Sequence, residues 1–206
     1  MEIKREYRGL FPTPVAIVDN LDCGERIRNY LNTIDMIANG DQQVYGRRSV
    51  DTYVLDAEEC KEFTEKILLE MQVISTQVMR LPYVDYQFTQ SWVTHKEHGQ
   101  SHAMHHHPNS VLSGVYYFNE HNDAEPLMFH QQFSTTGSSM FAPSPMQPEI
   151  IESKSNRMIV FPSYMLHSVP MNKSPVIRKS LAFNMIPLHV IGDKDSLMEL
   201  RFDKLK

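Results

Sequence analysis

The sequence predicts a mainly β fold, a sandwich or barrel, with flanking helices that buttress it. Two amphipathic stretches occupy the first 82 residues, and beyond Pro82 the pattern changes to short alternating runs separated by turn residues. No break in composition divides the 206 residues, so one domain is expected, with about 1–82 supplying an N-terminal strand and buttressing helices and about 83–206 the β core.

Residues 10–19, LFPTPVAIVD, join two prolines to a β-branched run, as an opening strand at a sheet edge does. A helix is expected over about 22–38: Ile27, Tyr30, Leu31, Ile34 and Ala38 recur at helical spacing, Asp22 with Glu25 reads as a cap, and Asn39-Gly40 as a stop. Its other face, with Arg26, Asn29 and Asp35, is polar. A second helix follows from a capping-box pattern at Asp56 and Glu59, with Cys60, Phe63, Ile67, Met71, Ile74 and Val78 as one apolar stripe ended by Pro82. Both stripes are read as faces packed on a sheet.

Tyr86, Phe88 and Trp92 then alternate with Gln87, Thr89 and Ser91, which gives a half-buried strand; Trp92 is read first as a core residue, with support of the functional site as the alternative. Further strands are expected near 111–118, 126–130, 140–141, 158–161, 176–186 and 199–202. The weakly patterned segment 119–156 reads as loop, with a lid over a barrel mouth as one role for it. There is no internal repeat.

Bulk properties narrow the function classes. The net charge of −5 argues against broad binding to nucleic acid or to an anionic membrane surface. No window has the roughly 18 apolar residues of a span, and MEIKREYRGLF lacks a signal peptide's apolar run, so a cytoplasmic protein is expected. Cys23 and Cys60 form neither a disulfide framework nor a thiolate cluster and read as buried thiols.

His102, His105, His106 and His107 crowd into SHAMHHHPNS, and neutral imidazole is the commonest side-chain ligand for transition metals. Residues two apart in an extended segment share a side, so His105 and His107 would face one cavity and His106 would point away. Pro108-Asn109 turns the chain there. A further ligand must come from elsewhere, and His167 in FPSYMLHSVP is the candidate; the bland alternative is a His-rich surface loop. Downstream, RKSLAFN alternates with Arg178, Ser180, Ala182 and Asn184 on one side and Leu181, Phe183 and Met185 on the other. A cation and small polar groups facing inward suit a carboxylate, which a guanidinium binds through two parallel hydrogen bonds.

HxHPNSxLSGVYY, FPSxxxH and RxSxxFN, in that order and after the opening LFPTPV, resemble the 2-oxoglutarate/Fe(II)-dependent oxygenases of the prolyl-hydroxylase-like group. The resemblance implies a double-stranded β-helix, a jelly-roll or cupin-like core. It implies Fe(II) held by His105, His107 and His167, and 2-oxoglutarate as cosubstrate, its far carboxylate on Arg178. Tyr117, with Tyr116 as the alternative, and Ser180 would help hold that carboxylate. Met158 follows Asn156-Arg157 where relatives often have Gly, and Asn tolerates the left-handed conformation Gly would supply.

The departure is His107, because the commoner pattern is HxD. Three neutral imidazoles leave the metal more cationic, which a dianionic cosubstrate offsets. Three-His iron sites occur in the related cupin fold, and Gly99, His105 and His107 fit the spacing of a cupin first motif, but the Glu that should follow is missing. His95, His98, His102, His106, His121, His130 and His189 fall outside the ligand scheme.

The expected reaction is hydroxylation of an unidentified substrate, a protein side chain such as proline or a small molecule, with ascorbate as a stimulant and a homodimer compatible with the chain. The rivals are a nucleic-acid demethylase, whose second motif arginine is missing after Arg178, a three-His dioxygenase working without 2-oxoglutarate, and a jelly-roll binding protein without turnover.

Overall fold

The computed structural model of the chain describes residues 13–78, 85–118, 125–130, 147–188, 190–192 and 194–201. The first part of the chain holds strand β1 (Ala16–Val18), helix α1 (Glu25–Thr33), β2 (Met36–Ala38), the short helix α2 (Gln42–Tyr45), β3 (Arg47–Ser49) and helix α3 (Lys61–Val73). After it come β4 (Tyr86–Lys96), β5 (His102–His105), β6 (Leu112–Tyr117), β7 (Leu127–His130), β8 (Glu149–Ile151), β9 (Arg157–Pro162), β10 (Leu166–Val169) and β11 (Arg178–Pro187). A small hairpin, β12 (Val190–Ile191) with β13 (Leu200–Arg201), follows.

Two antiparallel sheets result, one of seven strands in the order β1-β9-β6-β11-β4-β3-β2 and one of four in the order β5-β10-β7-β8. The larger sheet has a core on each face. Leu181, Phe183 and Met185 of β11 and Leu112 and Tyr116 of β6 pack with Ile27 and Leu31 of α1 and Phe63, Ile67 and Met71 of α3. On the opposite face, Tyr117 of β6 and Ile159 and Phe161 of β9 pack with Leu127 and Phe129 of β7 and Val169 of β10, between the two sheets. Strand alternation assigns these faces, since neighbours in sequence must point apart. Gly114 lies where a Cβ would collide with the Phe183 ring, so the helix-side core needs a glycine there.

The helices differ from expectation at their ends. The 22–38 pattern is helical only through Thr33; Ile34 turns extended, and Met36–Ala38 instead pairs with Arg47–Ser49 as a hairpin at the sheet edge. Gly40, with φ +66°, belongs to that hairpin connection and not to a helix stop. Asp22 accepts from Gly24 N and Arg28 and does not cap α1, whose N-cap is Gly24. Asp56 and Glu59 fall in two short 3-10 turns, Val54–Asp56 and Glu58–Cys60, so α3 starts without a side-chain cap. Cys60, Phe63, Ile67, Met71 and Ile74 are buried as a stripe, whereas Val78 is 39% exposed, because the last turn, Ile74–Val78, widens to π geometry and rotates off it. Both cysteines are buried thiols.

Trp92 requires a correction. Gln90 pairs with Asn184 but Phe88 pairs with Met185, so Thr89 is an extra residue in β4. One extra residue exchanges the faces beyond it. Tyr86 and Phe88 join the helix-side core, but after the bulge Val93 is the core residue, while Trp92 turns to the cavity between the sheets.

Asn156 and Asn109 take left-handed conformations, φ +59° and +64°, the first where that conformation was expected and the second in the Pro108-Asn109 turn. The expected strand at 140–141, the end at Pro82 and most of the 119–156 loop lie outside the described residues. Among the described residues no helix is long and apolar enough to cross a membrane.

Candidate active site

Pairing of β10 with β5 sets His167 opposite His105, and the HxH step carries His107 round to the same point. One ring nitrogen from each of His105, His107 and His167 lies within 4.8 Å of the others. The closest approach is 3.2 Å between the Nε2 atoms of His107 and His167.

Backbone carbonyls orient two of the rings. His105 Nδ1 donates to the Ala103 carbonyl at 2.8 Å and His167 Nδ1 to the Met165 carbonyl at 2.8 Å. A carbonyl only accepts, so the proton sits on Nδ1 in both, and each Nε2 presents a lone pair. Burial pushes the imidazoles down, His167 to about 3 and His107 to about 4, with His105 lowered too. All three are thus neutral near pH 7, the form that ligates a metal. The main chain of His107 donates to the Ser163 carbonyl at 3.0 Å, and a chain of short contacts runs from Ser163 through Ser113 to Asn184, whose amide lies 3.4 Å from His107 Nδ1. Three neutral rings converge at this spacing, two of them presenting Nε2 lone pairs and the third, His107, bridging to His167 Nε2 through a proton that a metal would displace, a set that fits a divalent transition metal.

The cavity continues from the imidazoles to Arg178, which is 2% exposed. Its Nη2 donates to Tyr117 Oη at 3.0 Å, Nη1 to Ser180 Oγ at 3.2 Å and Nε to the Glu125 carbonyl at 3.0 Å. Every one of these acceptors is neutral, and a guanidinium has further N–H groups to offer. Tyr116, the alternative to Tyr117, points to the helix side, where its ring lies 4.6 Å from Phe63 and its hydroxyl donates to Asn156. Thr94 bonds Ser180 at 2.9 Å. The pocket thus has three convergent imidazoles at one end and a buried guanidinium at the other, groups whose chemistry suits a metal-chelated 2-oxo diacid.

Residues 90–184 match the family model described as "Putative 2OG-Fe(II) oxygenase". Over these residues, a little under half of the chain, the sequence is similar to the 2OG-Fe(II) oxygenases. Among solved structures, the fold is similar to that of a 2OG-Fe(II) oxygenase-family oxidoreductase from Burkholderia pseudomallei, at 12% identity and TM-score 0.60, over 84% of each chain. It is also similar to a Pseudomonas putida prolyl-4-hydroxylase, at 14% identity and TM-score 0.56, over 84% of this chain and 92% of that one. A third is HygX from Streptomyces hygroscopicus with nickel, 2-oxoglutarate and hygromycin B bound, at 10% identity and TM-score 0.61, over 85% and 84%. No curated protein matches the chain. The fold is the double-stranded β-helix of 2OG-Fe(II) oxygenases.

Further residues line the cavity besides the three imidazoles and the Arg178 cluster. Trp92 lies 5.8 Å from His107, ring to ring, and Thr94 and Lys96 follow it on the same face of β4. His102, set outside the ligand scheme, stacks on His105 at 4.3 Å and lines the cavity, and burial pushes it down to about 3. Alternation counted backwards from Lys96 finds Thr94 and Trp92, but counted forwards from Tyr86 it gives the wrong face, because of the bulge. Of the other histidines, His106 lies outside on an apolar depression with Pro14 and Tyr164, His98 is exposed, and His130 meets Ser168 at 2.8 Å. His95 is half-buried, and His121 and His189 lie outside the described residues.

Proposed function

We propose that the protein is an Fe(II)- and 2-oxoglutarate-dependent dioxygenase that hydroxylates a protein side chain or a small molecule in the cytoplasm. His105, His107 and His167 hold the iron, and Arg178, with Tyr117 and Ser180, holds the distal carboxylate of the cosubstrate. The observation that carries this reading is Arg178: a buried cation whose described partners are all neutral, in the same cavity as three convergent neutral imidazoles. Iron and 2-oxoglutarate together supply the chemistry, putting one atom of O₂ into a C–H bond while the cosubstrate becomes succinate and CO₂.

The chain's own residues bind, orient and exclude water. The Ala103 and Met165 carbonyls fix two rings in the ligating tautomer before metal arrives. Tyr117, Ser180 and the Glu125 carbonyl fix the guanidinium plane, so little freedom is lost when a carboxylate docks. Trp92, Val115, Leu127 and Val169 give the cavity apolar walls, which strengthen the electrostatic contacts inside it. Prolyl side chains are the first class to try, by likeness to the Pseudomonas putida prolyl-4-hydroxylase fold, and small molecules the second, by likeness to HygX.

Anaerobic protein with Fe(II) should develop a weak visible charge-transfer band on adding 2-oxoglutarate. No band and no calorimetric binding would rule the reading out. His105→Ala and His107→Ala should abolish metal uptake while His106→Ala spares it. The reverse would mean that the wrong side of the histidine run was chosen. Succinate release across a panel of peptides and metabolites then identifies the substrate.

A further inference from the structure

Arg178 is not the only buried cation in this cavity. Lys96 is 1% exposed, lines the same cavity, and stands directly opposite Arg178 in the β4–β11 register, so both side chains leave one face of the sheet as nearest cross-strand neighbours. Its ammonium donates to the Tyr45 carbonyl at 2.7 Å, which uses one of its three N–H groups and neutralises none of its charge. Among the described residues that line the cavity there is no carboxylate. Where the commoner pattern would put an Asp ligand, His107 brings a neutral ring, so the cavity holds two like charges, with a divalent metal still to be added. Two unneutralised cations side by side in a buried site repel each other, and each loses its hydration without compensation unless an anion joins them. Burial, with Arg178 beside it, already pulls the Lys96 ammonium down to about 8.

We propose that Lys96 is a second cationic anchor for the cosubstrate, its ammonium and the Arg178 guanidinium gripping the distal carboxylate of a 2-oxo diacid from two sides. The inference rests on the proposed function and extends it: the pocket selects a full dianion, and Lys96, which the sequence motifs leave out, sets that selectivity. The purely structural alternative is that Lys96 only ties down the end of α2 through Tyr45.

The two roles separate in a binding experiment on the full-length protein loaded with Co(II). The probes are 2-oxoglutarate and oxalate, since oxalate chelates the metal but lacks a distal carboxylate. Lys96→Gln keeps a donor for the Tyr45 carbonyl and loses the charge; Lys96→Met loses both. Both variants should bind 2-oxoglutarate roughly 10- to 100-fold more weakly, the span of a hydrogen bond to a charged group, with oxalate unchanged, and Lys96→Arg should recover most of the loss. The inference is overturned if Lys96→Gln binds 2-oxoglutarate as the unaltered protein does, or if oxalate weakens in parallel. It is also overturned if only Lys96→Met is affected, because that singles out the Tyr45 contact. Should the unaltered, metal-loaded protein bind no 2-oxoglutarate at all, the proposed function itself fails, an outcome distinct from all of these.

Discussion

Arg157 and Arg178 are both buried arginines of the same sheet, 7% and 2% exposed, and they differ in what closes their charge. Arg157 on β9 meets Asp19 just beyond β1 through two hydrogen bonds, Nε to Oδ1 at 2.6 Å and Nη2 to Oδ2 at 2.8 Å, and its Nη1 donates to the Glu152 carbonyl. Arg178 on β11 has a hydroxyl, a phenol and a carbonyl. One cation is neutralised by a carboxylate of the chain and ties an edge strand to the sheet. The other is held in place, and among the described residues no carboxylate neutralises it. A buried cation without a counter-charge is costly to folding, so its presence is best explained by a ligand that supplies the missing anion.

The largest effect should come from removing each arginine in turn. Arg178→Met should weaken 2-oxoglutarate on the order of 1,000-fold, since it strips a buried carboxylate of its main partner, and should leave the melting temperature of the ligand-free protein unchanged or higher. Arg157→Met should do the opposite: unchanged 2-oxoglutarate affinity, with a stability loss of about 1–2 kcal/mol, small because the Asp19 side chain is 45% exposed and water takes over much of its solvation. Calorimetric titration and thermal unfolding of the two variants check both halves. Equal effects on affinity would end the contrast.

The Arg178 face was legible because RKSLAFN runs on both sides of Ala182 without interruption in its alternation, and the structure keeps Ser180 and Ala182 toward the cavity and Leu181 and Phe183 toward the helices. His167 was legible as a residue, but its strand was not: β10 and β5 are short, polar and built around histidines, so hydrophobic period is silent there. Lys96 was lost, and Trp92 read first as core, because of the single extra residue at Thr89, a feature of pairing with β11 that no property of Thr89 announces. Met36–Ala38 was read as helix for a related reason, since the pairing that makes it a strand comes from Arg47–Ser49 on the far side of a turn. What a residue's own segment encodes was readable; what a partner strand imposes was not.

Stripping the metal tests whether Arg178 is one end of a two-ended site. A ligand held at both ends gains from the effective concentration of its second contact, so metal-free protein, or His167→Ala, should bind 2-oxoglutarate roughly 100-fold more weakly while succinate, which has no chelating end, is little affected. Arg157→Met should not alter this ratio. A metal-free affinity equal to that of the loaded protein would mean that the carboxylate site works alone.

A smaller effect is expected from pH. Ligand-free Lys96, lowered to about 8 by burial and by Arg178, loses its proton as pH rises through that value, and binding a carboxylate there must take a proton back. Affinity for 2-oxoglutarate should therefore be level below about pH 8 and fall above it, by up to about tenfold per pH unit. Two neighbours in the cavity lie outside that window: His102 is neutral with its value pushed to about 3, and burial raises Tyr117 further above its ordinary range. Lys96→Arg should flatten the profile. Calorimetry in buffers of different ionisation heat reads the proton uptake directly.

The smallest effect belongs to Arg157 and appears at acid pH. The hydrogen bonds from Arg157 hold the Asp19 carboxyl below its ordinary value despite an opposing desolvation. A carboxyl depressed in the folded state contributes stability at pH above its unfolded value, near 3.9, and that contribution is lost as pH falls through the folded value. Asp19→Asn and Arg157→Met should both remove this part of the acid dependence of unfolding, each making the other's effect redundant. Arg178→Met should leave it intact in ligand-free protein, because among the described residues no carboxylate of the chain pairs with Arg178. Denaturant unfolding of the three variants between about pH 3 and pH 6, a range bracketing that titration, measures the difference. An acid dependence altered by Arg178→Met would reveal a carboxylate partner of its own and remove the reason to look for an external one.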